Sequence, residues 1–370
     1  MAIVESLDKE KLITIKQRRV MVRILVSHLM EKCGQTPSAV IKIALASAMI
    51  NTFPCLKDGS GSGFDTWYTQ GRYHHPATGF LEERLRNIRK RLRSSGGPRQ
   101  QQERVTVPSR TVIPAATISD ERALQCSEWL KNNSQPLSQV EAYMRDTCQY
   151  RAGWIRADHS KSIPEILGEF PRLTTPGMIA QDFSILYGEA APKLFETWVA
   201  LYSDKIIRLA KCERKLSVPE EQLTHDSRGE VALMLLPILL PPPVYKKGRK
   251  LVRASIQESK RAFIDVKPVG TNMVEYLEQA ESLRAYPYVL LLSDGILCSQ
   301  AFAIISGKAI PSDTALAAVD TCFKSFYILD CNYPNECAPT WQFLQSTVFE
   351  LEGTVSPSVT FLKTQLLSCH

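Results

Sequence analysis

The sequence predicts an α+β multidomain protein, with helical N-terminal and middle modules and a small α/β C-terminal domain. Three observations carry this. Apolar residues recur at three- and four-residue steps up to about residue 217. Beyond about residue 254, short runs rich in branched residues and bounded by Gly and Pro alternate with helix-like pieces. Polar or proline-rich stretches separate these regions. The expected divisions are a basic helical module at 1–95, a linker at 96–118 and a helical module at 119–217. A proline-rich, basic connector at 218–253 and the α/β domain at 254–370 complete the chain.

In the first module, Val20, Met21, Ile24, Leu25 and Leu29 predict a helix ending at Gly34. Thr36 or Ser38 with Pro37 opens an Ala-rich second helix, which Pro54 stops before the Gly/Ser loop that follows. A third helix is predicted where Leu81, Leu85, Ile88 and Leu92 fall on one face. There Thr78 is the expected N-cap, Glu82 and Glu83 lie in the first turn, and Lys90, Arg91 and Arg93 in the last, as the helix dipole favours. Ser94 to Pro98 ends it.

In the middle module, Ser119 and Asp120 cap one helix, and Leu137, Val140, Met144 and Cys148 form the stripe of the next. Helices opened by prolines follow, and Trp129, Trp154 and Trp198 are expected to anchor one core. In the C-terminal domain, "AFIDVKPVG", "YPYVLLLSDG" and "SQAFAIISGKAI" read as strands. "TNMVEYLEQAESL", "SDTALAAVDTCFKSF" and "APTWQFLQSTVFEL" read as the helices among them.

Net charge is +7 but unevenly spread. Met1 to Arg110 holds 19 Lys/Arg against 9 Asp/Glu, and the remainder 26 against 29, so the basic character belongs to the N-terminal third. The ten cysteines show no CxxC spacing and read as reduced thiols, mostly buried, of a nuclear or cytoplasmic protein. The N-terminus does not read as a secretory signal, and the apolar run Val231 to Pro243 is too short for a bilayer and broken by Pro237, so no membrane partner is expected.

Arg84, Arg86, Arg89, Lys90, Arg91 and Arg93 occupy the faces of the third helix that the leucines leave free. They are the candidate phosphate contacts, with Trp67 and Tyr73 as candidate stacking partners for bases. Lys90 to Arg93 also resembles a short nuclear-import signal. The bland reading is that the arginines solvate an amphipathic helix whose core the aromatics cap. His74 and His75 read as a polar loop, no metal site or other cofactor is expected, and "DGSGSG" lacks the strand–helix setting of a phosphate loop. No nucleophile elbow accompanies His28, His159 or His225. Asp265, Asp294, Asp320 and Asp330 are the acids a Mg²⁺-dependent nuclease would use, whereas Asp294-Gly295 suits a turn and Asp313 a cap.

Long phrases, "LKDGSGSGFDTWY", "TGFLEERLRNIRKRLR", "FPRLTTPGMIAQDFSILYGE", "VKPVGTNMVEYL", "CSQAFAIISGKAI" and "VDTCFKSFYILDCNYPNECAPTWQFLQ", resemble the fish family of sterile alpha motif domain-containing protein 3-like chains. The resemblance covers most of the sequence, but no segment reads as a sterile alpha motif, since the N-terminal helices do not match its five-helix length. It therefore implies neither self-association nor any catalytic or binding residue.

The reading that results is a non-enzymatic binding protein, associated with DNA, RNA or chromatin through the basic N-terminal helix. The alternative is a protein-interaction scaffold, and the third is the nuclease.

Overall fold

The computed structural model describes residues 2–9, 11, 13–34, 36–59, 61–71, 76–93, 113–116, 118–216, 219–247, 250–295 and 297–368. In chain order the helices α1 (Ala2–Lys9), α2 (Ile15–Cys33), α3 (Ala39–Thr52) and α4 (Phe80–Arg93) come first. Then follow α5 (Asp120–Asn132), α6 (Leu137–Asp146), α7 (Cys148–Arg156), α8 (Ile163–Glu169), α9 (Met178–Tyr187) and α10 (Lys193–Thr197). After α11 (Asp204–Cys212) and α12 (His225–Leu239) come the strands β1 (Val244–Lys247) and β2 (Lys250–Arg253). The rest runs α13 (Ile256–Phe263), β3 (Ile264–Lys267), α14 (Met273–Leu283), β4 (Tyr288–Leu292), β5 (Gln300–Ile305), β6 (Lys308–Ser312), α15 (Ala315–Ile328), α16 (Ala338–Phe343) and α17 (Pro357–Ser368). The predicted α+β class is the observed one.

The chain divides into two units, and not at the boundaries the sequence suggests. Residues 1–103, 208–217 and 355–370 form the first, and 104–207 with 218–354 the second. Among its described residues the first unit is built of helices, with one isolated β-bridge. A capping box between Thr14 and Gln17 starts α2, Ser38 caps α3, and Gly34 ends α2 at φ +72. The loop before α4 is built to receive that helix. Thr69 and Thr78 exchange backbone hydrogen bonds of 3.0 Å, and the carbonyls of Thr66 and Trp67 accept from the N–H groups of Phe80 and Leu81. The expected N-cap Thr78 is thus part of a β-bridge. Leu81 and Leu85 are fully buried, as their spacing predicts, and Phe361 of α17 joins the same core.

Helix α2 buries Met21 and Leu29 and packs Leu25 partly buried on the same core, as their spacing predicts, but its inward face is turned away from Val20 and Ile24. Arg18, Met21, Val22, Val26 and Leu29 point inward, while Val20 and Ile24 are 36% and 59% exposed. The cause is Arg18. Its guanidinium carbon lies 4.0 Å from the ring centroid of Phe80 and 4.2 Å from that of Phe361, so a charged side chain fills a core position.

The second unit joins the middle helices and the α/β segment around shared apolar surfaces. Its four-stranded sheet has the order β3-β4-β5-β6, with β3 parallel to β4 and the other pairs antiparallel. All five residues of β4 are buried, which is why its sequence is one unbroken apolar run. Tyr288, Leu290 and Leu292 face Ala280 and its neighbours on α14, and the alternate residues Val289 and Leu291 face the other side, where α15 lies. α15 also packs on α9, where Phe183 meets Phe323 and Tyr327 at ring distances of 6.3 and 5.7 Å. The middle segment and the α/β segment therefore do not form separate domains.

Three further expectations are corrected. Of the three tryptophans only Trp198 is fully buried, while Trp129 and Trp154 are half-buried against Tyr143 and Phe170. The connector is no connector. Its apolar run is α12, with Ala232, Leu233, Leu236 and Leu240 at its inner face fully buried and Pro237 in its last turn. Its basic run forms a β-hairpin. The expected linker at 96–118 lies largely outside the described residues.

Candidate nucleic-acid interface

Helix α4 distributes its charges unequally. Glu82 is buried and holds two cations, Lys42 at 2.7 Å and Arg89 at 3.2 Å, and Lys42 also sits over the ring of Tyr68. A buried carboxylate needs such partners, so Arg89 is committed to the fold. Arg86 is exposed, and its Nη2 donates to the Ala77 carbonyl at 2.7 Å, tying the helix to the chain before it. Arg84 is half-buried, with Nε sealed from solvent and without a hydrogen-bond partner. The side chains of Lys90, Arg91 and Arg93 and all of Tyr73 lie outside the described residues, as do His74 and His75.

Trp67 is not a stacking platform. It is 1% exposed, its Nε1 donates to the Leu56 carbonyl at 3.0 Å, and its faces meet Phe80 and Phe361 edge-on. Sequence reasoning missed α2 instead. Lys16, Arg19 and Arg23 stand at steps of three and four on its outer side, exposed, and none is paired with an acid among the described residues. The signal was present in the spacing, but the apolar residues beside it, Val20 and Ile24, suggested that this face was buried.

The glycine loop between α3 and α4 is closed by its own acids. Asp58 accepts from the N–H and Oγ1 of Thr66 at 2.8 and 2.7 Å, and Asp65 accepts from the N–H and Oγ of Ser62. Both carboxylates are thereby used for loop shape.

In the second unit the four acids of the nuclease reading are each engaged separately. Asp265 accepts from Arg284 Nη2 at 2.7 Å and Tyr276 OH at 2.8 Å, and Asp320 pairs with Lys324 at 2.6 Å. Asp330 lies 3.0 Å from His159 Nδ1, and Asp294 accepts from the Val269 N–H at 3.0 Å. No three acid, His or Cys side chains among the described residues converge on a point where a metal would sit. Asp313 is not the cap of α15, since Thr314 takes that place. The most enclosed ion pair is Arg151–Asp182, in which both Asp182 oxygens accept from one guanidinium that also donates to Thr147 and the Met144 carbonyl. Burial pushes the Asp182 carboxyl up and Arg151 pulls it down.

Among the described residues the cysteines are free thiols, four of them buried, and burial raises the thiol pKa at Cys148, Cys322 and Cys337. No described helix is long and apolar enough to cross a membrane. No family model, curated protein or solved structure matches the chain.

Proposed function

We propose that the first unit is a non-enzymatic binding module for a polyanion, with nucleic acid as the ligand. The observation that supports this is the outer stripe of α2, where Lys16, Arg19 and Arg23 are exposed and without an acid partner among the described residues. Unpaired cations spaced along one helix face can each neutralise a phosphate and release its counterion. Arg84, Arg86, Lys90, Arg91 and Arg93 of α4 add positive charge to the same unit, which fits a nuclear or cytoplasmic role. Arg89 and Trp67 belong to its core.

The isolated segment 1–110 is the wrong material for a test, because it would lack Phe361 and the Glu213 carboxylate that accepts from the Ile15 N–H. The full chain should bind duplex DNA or RNA with affinity that falls steeply with salt. Changing Lys16, Arg19 and Arg23 to Gln should make the slope shallower by up to about 2.7 on a log–log plot for duplex DNA, about 0.9 for each phosphate that is no longer neutralised. No detectable binding near 50 mM salt, or an unchanged slope, overturns the reading.

A second reading has its own observation. Ile24, beside that stripe on α2, and Val40 on α3 are 59% and 75% exposed, which suits a protein partner. Under that reading, association survives high salt and is lost on Ile24→Glu.

A further inference from the structure

The hairpin of β1 and β2 is the most basic short element in the chain. Val244 to Arg253 contains Lys246, Lys247, Arg249, Lys250 and Arg253 and no acid. Among the described residues the two strands pair only with each other, so they form a two-stranded ribbon apart from the four-stranded sheet.

Its register sorts the side chains. Tyr245 opposes Val252, both half-buried, and the Tyr245 hydroxyl donates to Glu336 Oε1 at 3.0 Å, which seats this end of one face on the second unit. Further along that face Lys247 directly opposes Lys250, and both are exposed. The other face carries Val244 opposite Arg253 and Lys246 opposite Leu251, with Val244 and Leu251 53% and 55% exposed. Cations thus stand on both faces. Like charges directly opposed across a ladder destabilise it, so the Lys247–Lys250 pair is an arrangement that a polyanion would relieve. Lys246 already has a partner, and Lys247 lies within electrostatic reach of Glu258, whose carboxylate also accepts from the Ser255 N–H, while Glu336 accepts from the tyrosine; Lys250 and Arg253 complete the ribbon's positive charge.

We propose that this ribbon is a nucleic-acid contact of the second unit, laid into a groove of a duplex so that its two faces meet the phosphates of both walls. A two-stranded ribbon fits the major groove of B-form DNA. The residues between the strands and at their inner ends, Lys247 to Lys250, contain no aromatic or aliphatic side chain that would insert into a bilayer. A flat anionic surface would also engage only one face. The contact is independent of the stripe on α2, which belongs to the other unit.

The test uses the full chain, a 20-base-pair duplex and a salt series. Three proteins are compared: the native chain, Lys247→Gln/Lys250→Gln/Arg253→Gln, and the α2 triple variant. Circular dichroism and thermal unfolding confirm that each folds, since the ribbon positions are exposed. The ribbon variant should lose less affinity between about 50 and 200 mM salt than the native chain, by up to roughly 40-fold, if all three cations meet phosphates. A change with the ribbon variant alone supports the ribbon and removes the α2 reading, and a change with the α2 variant alone does the reverse. An unchanged salt slope in the ribbon variant, binding only to vesicles containing phosphatidylserine, or aggregation of the variant with duplex affinity intact overturns the proposal. The last outcome would make the lysines guards against strand-edge pairing.

Discussion

Asp320 and Lys324 lie one turn apart on α15, and each side chain is 5% exposed. Only one Asp320 oxygen has a partner, and Oδ1 is buried without one. Burial, opposed by Lys324, raises the Asp320 carboxyl to about 6 from an ordinary value of 3.8. The native state therefore holds this proton more tightly than the unfolded chain. The contribution is full below pH 3.8 and is lost as pH rises to about 6. Its size is up to ~3 kcal/mol at about 1.36 kcal/mol per unit. Removing the lysine while leaving its size, as Lys324→Met, strands a buried carboxylate at pH 7. The expected loss there is about 3 kcal/mol, within the range for breaking a buried pair. At pH 5 the carboxyl is largely protonated in the native state and the loss shrinks. Urea unfolding at both pH values measures this, and equal losses would show that Lys324 stabilises by packing alone.

At the scale of elements, the start of α4 depends on Gly79. Its φ is +99, and a Cβ there would come within 2.6 Å of the Trp67 carbonyl oxygen. Gly34, at φ +72, has open space around it. Gly79→Ala should therefore cost more than the ~1 kcal/mol that left-handed strain alone predicts for Gly34→Ala, by at least another ~1 kcal/mol. Thermal unfolding of the two variants gives the comparison, and equal shifts would deny the close approach any weight. The body of α4 was legible because leucine spacing and charge order agree, but its first residue was not, because Thr78 and Gly79 serve a bridge and a close backbone approach made across the loop. Strands β3, β4 and β5 were legible from their branched, Gly-bounded runs, but β6 fell in the same run as β5, and the turn at Ser306 and Gly307 that divides them was not expected. The hairpin of β1 and β2 was not, because lysine-rich strands with two exposed faces lack the alternation that betrays a half-buried one. α12 was hidden by Pro237, which forfeits one intrahelical hydrogen bond, a cost that the buried leucines around it offset.

For the whole molecule, the discontinuity of the first unit matters most. Composition located its basic charge correctly in the N-terminal third, yet no local pattern could show that residues 208–217 and 355–370 complete its core. The core joins residues far apart in sequence, such as Thr364 Oγ1 with Asp58 at 3.3 Å and Phe361 with Trp67. Periodicity shows that a face is buried and never against what. The same reason explains the misplaced stacking role of Trp67, whose neighbours include a helix some three hundred positions away. A chain shortened at Thr354 should lose protection from hydrogen exchange throughout residues 13–93 while the second unit keeps its own. Uniform protection in the shortened chain would show that α17 is dispensable to that core.

The place of α17 in the chain also sets a timetable. During synthesis every residue of the second unit leaves the ribosome before Phe361 does, so the larger unit can close while the first still lacks its final helix. At about 5–20 residues per second, the roughly 280 residues between Phe80 and Phe361 take on the order of tens of seconds. Through that interval the cationic stripe of α2 rests on an unfinished core, and Arg18 has one of its two phenyl rings. Production halted between Ser312 and Val355 would yield a polypeptide with a finished four-stranded sheet and an unfinished basic module.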